Sequence, residues 1–396
     1  MIYDFETLVS RKNTGSGKWD EMTKEHPNLP ENVAPLSVAD MELKNPPEIV
    51  EGLKKYIDTH ILGYTGPTEE YFDAVCGWMK RRNDWDIKKE EIVSTHGVVT
   101  VLAVSVLAYT DPGDGVITMP PVYYPFRMTI EHNNRKNVEC PLINTNETYT
   151  IDFDLFEKLC AEEKNKMFIF CNPHNPVGRV WTEEEIAKLG AICAKHNVIV
   201  VSDEIHSDLI MPGHKHVAFA NACKNALPKY LVCTAPSKTF NLAGLVGSYH
   251  IIYNETLRDR VCAVSNKTHY NEMNVLSMHA LIGAYQPQGY EWVDELNQVL
   301  AGNIEYFCDY VGEHFEGVSY SRPQGTYMVF LNCTEWCREH GRDIQRLLDE
   351  GARVGVGYQD GRPFHGPCHI RVNLALPLSR VKEACDRLDR YVFNAR

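Results

Sequence analysis

The middle of the chain alternates short apolar runs with longer stretches whose apolar residues recur at helical spacing. "EIVSTHG" reads as a strand and passes into the helical run "VVTVLAVSVLAYT". "DPGDG" marks a turn, "VITMPP" a strand ending at a double proline, and "MFIFC" an apolar strand closed by "NPHNPVG". Thr182 and Glu185 stand at capping-box spacing and predict a helix running to about His196. "VIVVSDE", "YLVCTA" and "GSYHIIY" read as further strands. Strands separated by helices in this way predict a mostly parallel sheet covered on both faces. From about Tyr290 the texture changes: a long helical stretch, the strand "TYMVFLN", a helix near "RDIQRLLDEG", the strand "HIRVNLA" and a terminal helix.

The expected fold is therefore α/β: a three-layer α/β/α major domain with a mostly parallel sheet, plus a smaller α+β C-terminal domain. Residues 1–45 are expected to form an N-terminal arm joining the small domain, residues 46–287 the large domain and residues 288–396 the small one. No internal repeat or low-complexity linker interrupts this plan.

Composition changes the picture by exclusion. A formal charge of −13 over 396 residues leaves no broad basic face for nucleic acid. No apolar core of signal-peptide length opens the chain, and no window offers ~18 unbroken apolar residues for a membrane span. The expectation is a cytoplasmic protein that binds neither nucleic acid nor membrane. Thirteen cysteines are scattered, many inside apolar runs such as those holding Cys171 and Cys233, and read as buried free thiols of a reducing compartment. Cys333 and Cys337 lack a second pair at zinc-site spacing, so no metal is expected. His214 and His216 sit in a Pro/Gly loop and read as solvated.

Candidate chemistry follows from topology. In open α/β sheets ligands bind just beyond the carboxyl ends of the strands. The residues in those places are His96, Gly97 and Val98; Pro121 and Tyr123; Asn172 and Asn175; Asp203 and His206; and Ser237 and Lys238. A lysine amine suits covalent chemistry on a carbonyl. A helix opened by Gly97 suits an anion such as phosphate. Asp203 can pair with a cationic ring nitrogen, Asn175 can donate to a phenolic oxygen, and Tyr123 can stack on a flat ring. Aldehyde, phosphate, ring nitrogen and phenol oxygen together describe pyridoxal 5'-phosphate. Singly, each residue has a plainer reading as a turn, a packed aromatic or a solvated lysine; their joint arrival at successive strand ends favours the site.

"CNPHNPVGRVW", "VVSDEIH" and "APSKTFNLAGL" resemble the three central motifs of the aspartate-aminotransferase-like, fold-type I pyridoxal-phosphate enzymes. Their variant forms resemble the bacterial β C–S lyases of the cystathionine β-lyase (MalY/PatB) kind. "KWD", "VADMEL", "LGYT", "PPVYYPF" and "HIRVNLALP" extend the likeness nearly end to end.

The resemblance implies that Lys238 bonds the cofactor and then shuttles protons. Asp203 would hold the ring nitrogen protonated, Asn175 and His206 would lie at the phenolic oxygen, and Tyr123 would stack on the ring and serve as a proton donor. Gly97, Val98 and Ser237 would grip the phosphate, with Tyr64 reaching it from a neighbouring subunit of a homodimer. Arg371 would clamp the substrate carboxylate, near the backbone of Val38 and Ala39, and Tyr327 would line the pocket for the sulfur substituent. Two departures stand out: Ala235 replaces a frequent phosphate-binding serine, and Val246 replaces a phosphate-binding arginine. The second favours the lyase branch, with α,β-elimination of L-cystathionine or related cysteine derivatives as the expected reaction. An aminotransferase on the same fold and a cofactor-bearing regulatory protein are the competing expectations.

Overall fold

A computed structural model describes residues 2–26, 29–30, 32–226, 228–268 and 273–394. Strand β1 (Ala34–Leu36) belongs to a smaller sheet. The chain then enters a larger sheet with β2 (Ile92–Thr95), β3 (Gly115–Thr118) and β4 (Lys136–Glu139), and adds an exposed hairpin of β5 (Ile143–Thr145) and β6 (Thr148–Thr150). The larger sheet continues with β7 (Asn165–Cys171), β8 (Ile199–Asp203), β9 (Tyr230–Thr234) and β10 (Ser248–Ile251). β11 (Ser319–Tyr320), β12 (Met328–Asn332), β13 (Val356–Asp360) and β14 (His369–Asn373) complete the smaller sheet.

The larger sheet runs β2-β10-β9-β8-β7-β3-β4, parallel except for β10, which lies antiparallel to both neighbours. This is the α/β architecture expected from the alternating pattern. The central strands are buried on both faces, which is why they read as continuous apolar runs rather than alternating ones. Phe156, Phe168 and Trp181 pack on one side, and Val101, Leu102 and Ile169 on the other. The helix Glu183–His196 opens with the expected capping box: Thr182 accepts from the Glu185 N–H, and Glu185 accepts from the Thr182 N–H at 2.8 Å. Removing such a cap costs about 1 kcal/mol.

The smaller sheet runs β1-β13-β14-β12-β11. β1 pairs in parallel with β13, so the N-terminal segment is a structural member of the sheet built by the last quarter of the chain. The 28-residue helix Pro287–His314 connects the two sheets and buries Trp292, Leu296, Leu300 and Phe307 in the core they share. Gly178, at φ +72°, closes the "NPHNPVG" turn so tightly against Pro323 that an added Cβ would sit 2.4 Å away. That turn holds the end of β7 against the strand leading into the small sheet.

The loop histidines correct one expectation. His214 is exposed, but His216 is buried and its Nε2 lies 3.0 Å from Glu204 Oε2. Glu204 follows the strand-end Asp203 into the protein, and a buried carboxylate recruits a polar partner from whatever loop crosses it. All thirteen cysteines are free thiols. Among the described residues no cluster of side chains could hold a metal, and no helix is long and apolar enough to cross a membrane.

Candidate active site

At the carboxyl edge of the larger sheet lies a cavity of ≈ 320 Å³. Its lining includes Gly97, Val98, Tyr123, Asn175, Asp203, His206, Ser237 and Lys238, together with Ala39 from the N-terminal segment. Register explains the convergence. Asp203 ends β8 opposite Cys171 of β7 and Cys233 of β9, so the segments leaving all three strands open into one space.

Gly97 adopts φ +74° and caps the helix Val98–Tyr109, a conformation that favours glycine. The helix has no acidic residue in its first turn, and Gly97, Val98, Val99 and Thr100 all face the cavity. Its N–H groups and dipole therefore present an anion seat. Ser237, in the short helix Pro236–Thr239 after β9, adds a hydroxyl to the same wall.

Lys238 follows Ser237, and its Nζ donates to the Ala39 carbonyl at 2.8 Å. Loss of hydration lowers the amine's pKa to about 8; Arg371 pushes the same way, while Asp40 and Asp203 oppose them. Burial raises Asp203 to about 7, although the Ile205 N–H and Lys238 favour its ionised form. Its Oδ1 accepts from that N–H at 3.1 Å. Burial also depresses His206 to about 3, so the imidazole is neutral at working pH, and its ring meets Tyr327 edge-on at 5.9 Å. Tyr123 is raised to about 12 by burial, against the pull of Arg371, and stays a protonated phenol.

Arg371, Tyr327, Val38 and Tyr64 do not line the cavity. Arg371, on β14, is one contact behind it: Nη1 donates to Asn175 Oδ1 at 3.2 Å, and the guanidinium lies 4.5 Å from the Phe364 ring centre. It is 3 % exposed, and among the described residues no carboxylate lies within ion-pair distance. Burial lowers its pKa to about 10, which still leaves it charged near neutrality. Tyr327 donates to the Ala39 carbonyl at 3.0 Å, so that oxygen receives both this phenol and Lys238. Val38, at φ +52°, binds the small sheet instead: its N–H donates to Gln359 and its carbonyl accepts from Asn373. Tyr64 is fully exposed.

Ala243, Val246 and Gly247 also line the cavity; of these only Val246 was expected near the phosphate, from the family resemblance and not from a strand end. β10 is antiparallel, so the residues before its start, rather than after its end, meet this edge, and so short a strand carries no signal of its direction. Val246 occupies the left-handed region at φ +54°, uncommon for a β-branched residue. Its side chain stands 3.7 Å from where a Cβ on Gly97 would lie. Ala235 is buried and does not line the cavity, and it offers no hydroxyl.

The aminotransferase class I and II family matches residues 31–388. Cystathionine β-lyase PatB of Bacillus subtilis is 36% identical over 388 residues, covering 97% of this chain and 98% of its own. Among solved structures, cystalysin from Treponema denticola, which contains a pyridoxal 5'-phosphate cofactor, is 41% identical with a TM-score of 0.95 over 100% of both chains. The pyridoxal-phosphate-bound C–S lyase of Staphylococcus hominis is 31% identical with a TM-score of 0.89 over 98% of both.

Proposed function

We propose that this chain, which belongs to the aminotransferase class I and II family, is a pyridoxal-phosphate-dependent carbon–sulfur β-lyase. Its substrate is L-cystathionine or a related cysteine derivative, and its products are pyruvate, ammonia and a thiol. The observation that carries the reading is the enclosed Lys238 amine, lowered to about 8, in one cavity with Asp203, Asn175 and a helix N-terminus.

The cavity suits the cofactor on its own chemistry. The acid-free first turn after Gly97, with Ser237, fits the phosphate. Asp203, buried and raised to about 7, is a carboxyl that a cationic ring nitrogen would hold ionised. When bound, pyridoxal phosphate supplies an aldehyde carbon for amines and a ring that accepts the electron pair left by a departing α-proton. The chain's own residues do the rest. Lys238, near neutrality in pKa, takes the α-proton as a general base. Arg371, a buried cation with no carboxylate of the described residues within ion-pair distance, receives the substrate's α-carboxylate in a planar two-point contact. Tyr123, held protonated, can donate to the leaving sulfur, as can Lys238 once it carries the proton.

Lyase rather than aminotransferase is supported by the two relatives named as lyases and by Val246, which brings no guanidinium to the phosphate wall. The domain limits proposed are those read from the sequence, supported by two separate sheets and the connecting helix. A homodimer is supported by Ile61, Leu62 and Tyr64, apolar or aromatic and exposed next to one another, with Tyr64 completing the partner's phosphate seat. Thirteen unpaired thiols support a cytoplasmic location.

The deciding assay mixes purified holoenzyme with L-cystathionine or L-cysteine, with and without a 2-oxo acid, and measures pyruvate and thiol. Release without the 2-oxo acid is expected. Dependence on it would make the chain an aminotransferase, and no release under either condition would point to a cofactor-bearing regulatory protein.

A further inference from the structure

The "KWD" tripeptide contributes nothing to the lining of the cavity, yet Lys18 is 1 % exposed. Its ammonium lies 2.9 Å from the Asp40 carbonyl oxygen, 3.1 Å from Asp40 Oδ1 and 3.1 Å from Glu42 Oε1. Trp19 Nε1 donates to Glu42 Oε2 at 3.0 Å. Arg11 completes the group, with Nη2 2.8 Å from Asp40 Oδ2 and Nη1 2.9 Å from Glu42 Oε1. Two cations thus face two carboxylates beside the backbone of residues 38–42. That backbone is pinned from the other side by Asn241, which exchanges hydrogen bonds with the N–H and carbonyl of Met41.

Ion pairs buried this deeply seldom add much net stability, because desolvation offsets their attraction. Position offers a better account. Lys18 grips the Asp40 carbonyl, and the preceding carbonyl, that of Ala39, accepts from both Lys238 and Tyr327. One peptide unit separates the buried ammonium's contact from the reactive amine's contact.

We propose that Lys18 is a positioning residue for Lys238: its buried ammonium holds Asp40 by carbonyl and carboxylate, so that the adjoining Ala39 carbonyl faces the reactive amine. The proposal rests on the reading of Lys238 as that amine. Lys18 also acts through charge, since it lowers the Lys238 pKa while Asp40 raises it; Arg371 from β14 and Asp203 from β8 are the other charged groups bearing on the amine.

The test compares holoenzymes of the wild type, Lys18→Met, Asp40→Asn and Lys238→Ala by three readouts. These are amide exchange across residues 38–43, the pH midpoint of the visible cofactor spectrum, and kcat against KM. In Lys18→Met, exchange at Met41 and Glu42 is expected to quicken and kcat at neutral pH to fall about tenfold, with KM nearly unchanged. The spectral midpoint should move up in Lys18→Met, which removes a positive charge, and down in Asp40→Asn, which removes a negative one. A Lys18→Met enzyme with wild-type exchange, midpoint and kcat would overturn the proposal. Should Lys18→Met not fold, Asp40→Asn decides: a lowered midpoint with faster exchange supports it, and unchanged values overturn it. Full turnover by Lys238→Ala would instead sink the reading of Lys238 itself.

Discussion

Asp203→Asn should stabilise the cofactor-free chain while crippling the enzyme. Burial raises the folded-state pKa of Asp203 from 3.8 to about 7. Between those values the folded chain binds more protons than the unfolded one, so stability is lost as pH climbs through that window. The window spans about three pH units, worth roughly 4 kcal/mol above pH 7 and nearer 2 kcal/mol at pH 5. Asparagine cannot ionise, and its oxygen can still accept from the Ile205 N–H, so the variant should escape this loss and keep the local bond. Urea melts of cofactor-free wild type and variant at pH 5 and pH 8 measure it directly. The variant's advantage should grow with pH, while its holoenzyme loses more than about a hundredfold in kcat because no anion faces the ring nitrogen. An advantage independent of pH, or a variant less stable at pH 8, would refute the desolvation argument.

Other outcomes follow from the same geometry. Lys238→Ala should abolish both turnover and the absorbance band of the lysine-linked cofactor, checked by assay and spectrum. With Lys238 as the proposed base, at a pKa of about 8, wild-type kcat should rise with pH and level off above that value, as a pH–rate profile would show. Arg371→Gln should cost about 10- to 100-fold in kcat/KM, mostly through KM, by loss of a charge-assisted pair to the substrate carboxylate. Val246→Gly should relieve the left-handed valine at φ +54° and gain up to about 1 kcal/mol in a denaturant melt, with thiol release retained.

The larger sheet was legible because its central strands are buried on both faces and separated by helices with clear punctuation, such as the Thr182 box. The sheet rule then draws Asp203, Asn175, Tyr123 and Lys238 to one edge from the sequence alone. What escaped depends on direction and distance. A four-residue strand such as β10 carries no mark of its polarity, so the strand-end rule missed Ala243 and Gly247, and only the family resemblance put Val246 near the phosphate. β1 and β13 are three and five residues long and pair across more than three hundred positions, which no local pattern encodes. β5 and β6 are largely exposed and lack an apolar face to announce them. His216 looked solvated because its neighbours are, and only the buried Glu204 across the loop explains its place.

The pairing of β1 with β13 sets an order on assembly. Ala39 leaves the ribosome early, Lys238 midway, and Tyr327 and Arg371 late, yet all meet around one carbonyl and one amide side chain. The large sheet can form while the chain is still being made, but the arm has no strand to join until Val356–Asp360 emerges. Until then Lys238 lacks the backbone oxygen it donates to and the guanidinium proposed to hold the substrate. A nascent chain that has folded its large sheet but not yet made β13 is therefore chemically silent, so that reactivity itself reports that synthesis has passed that strand.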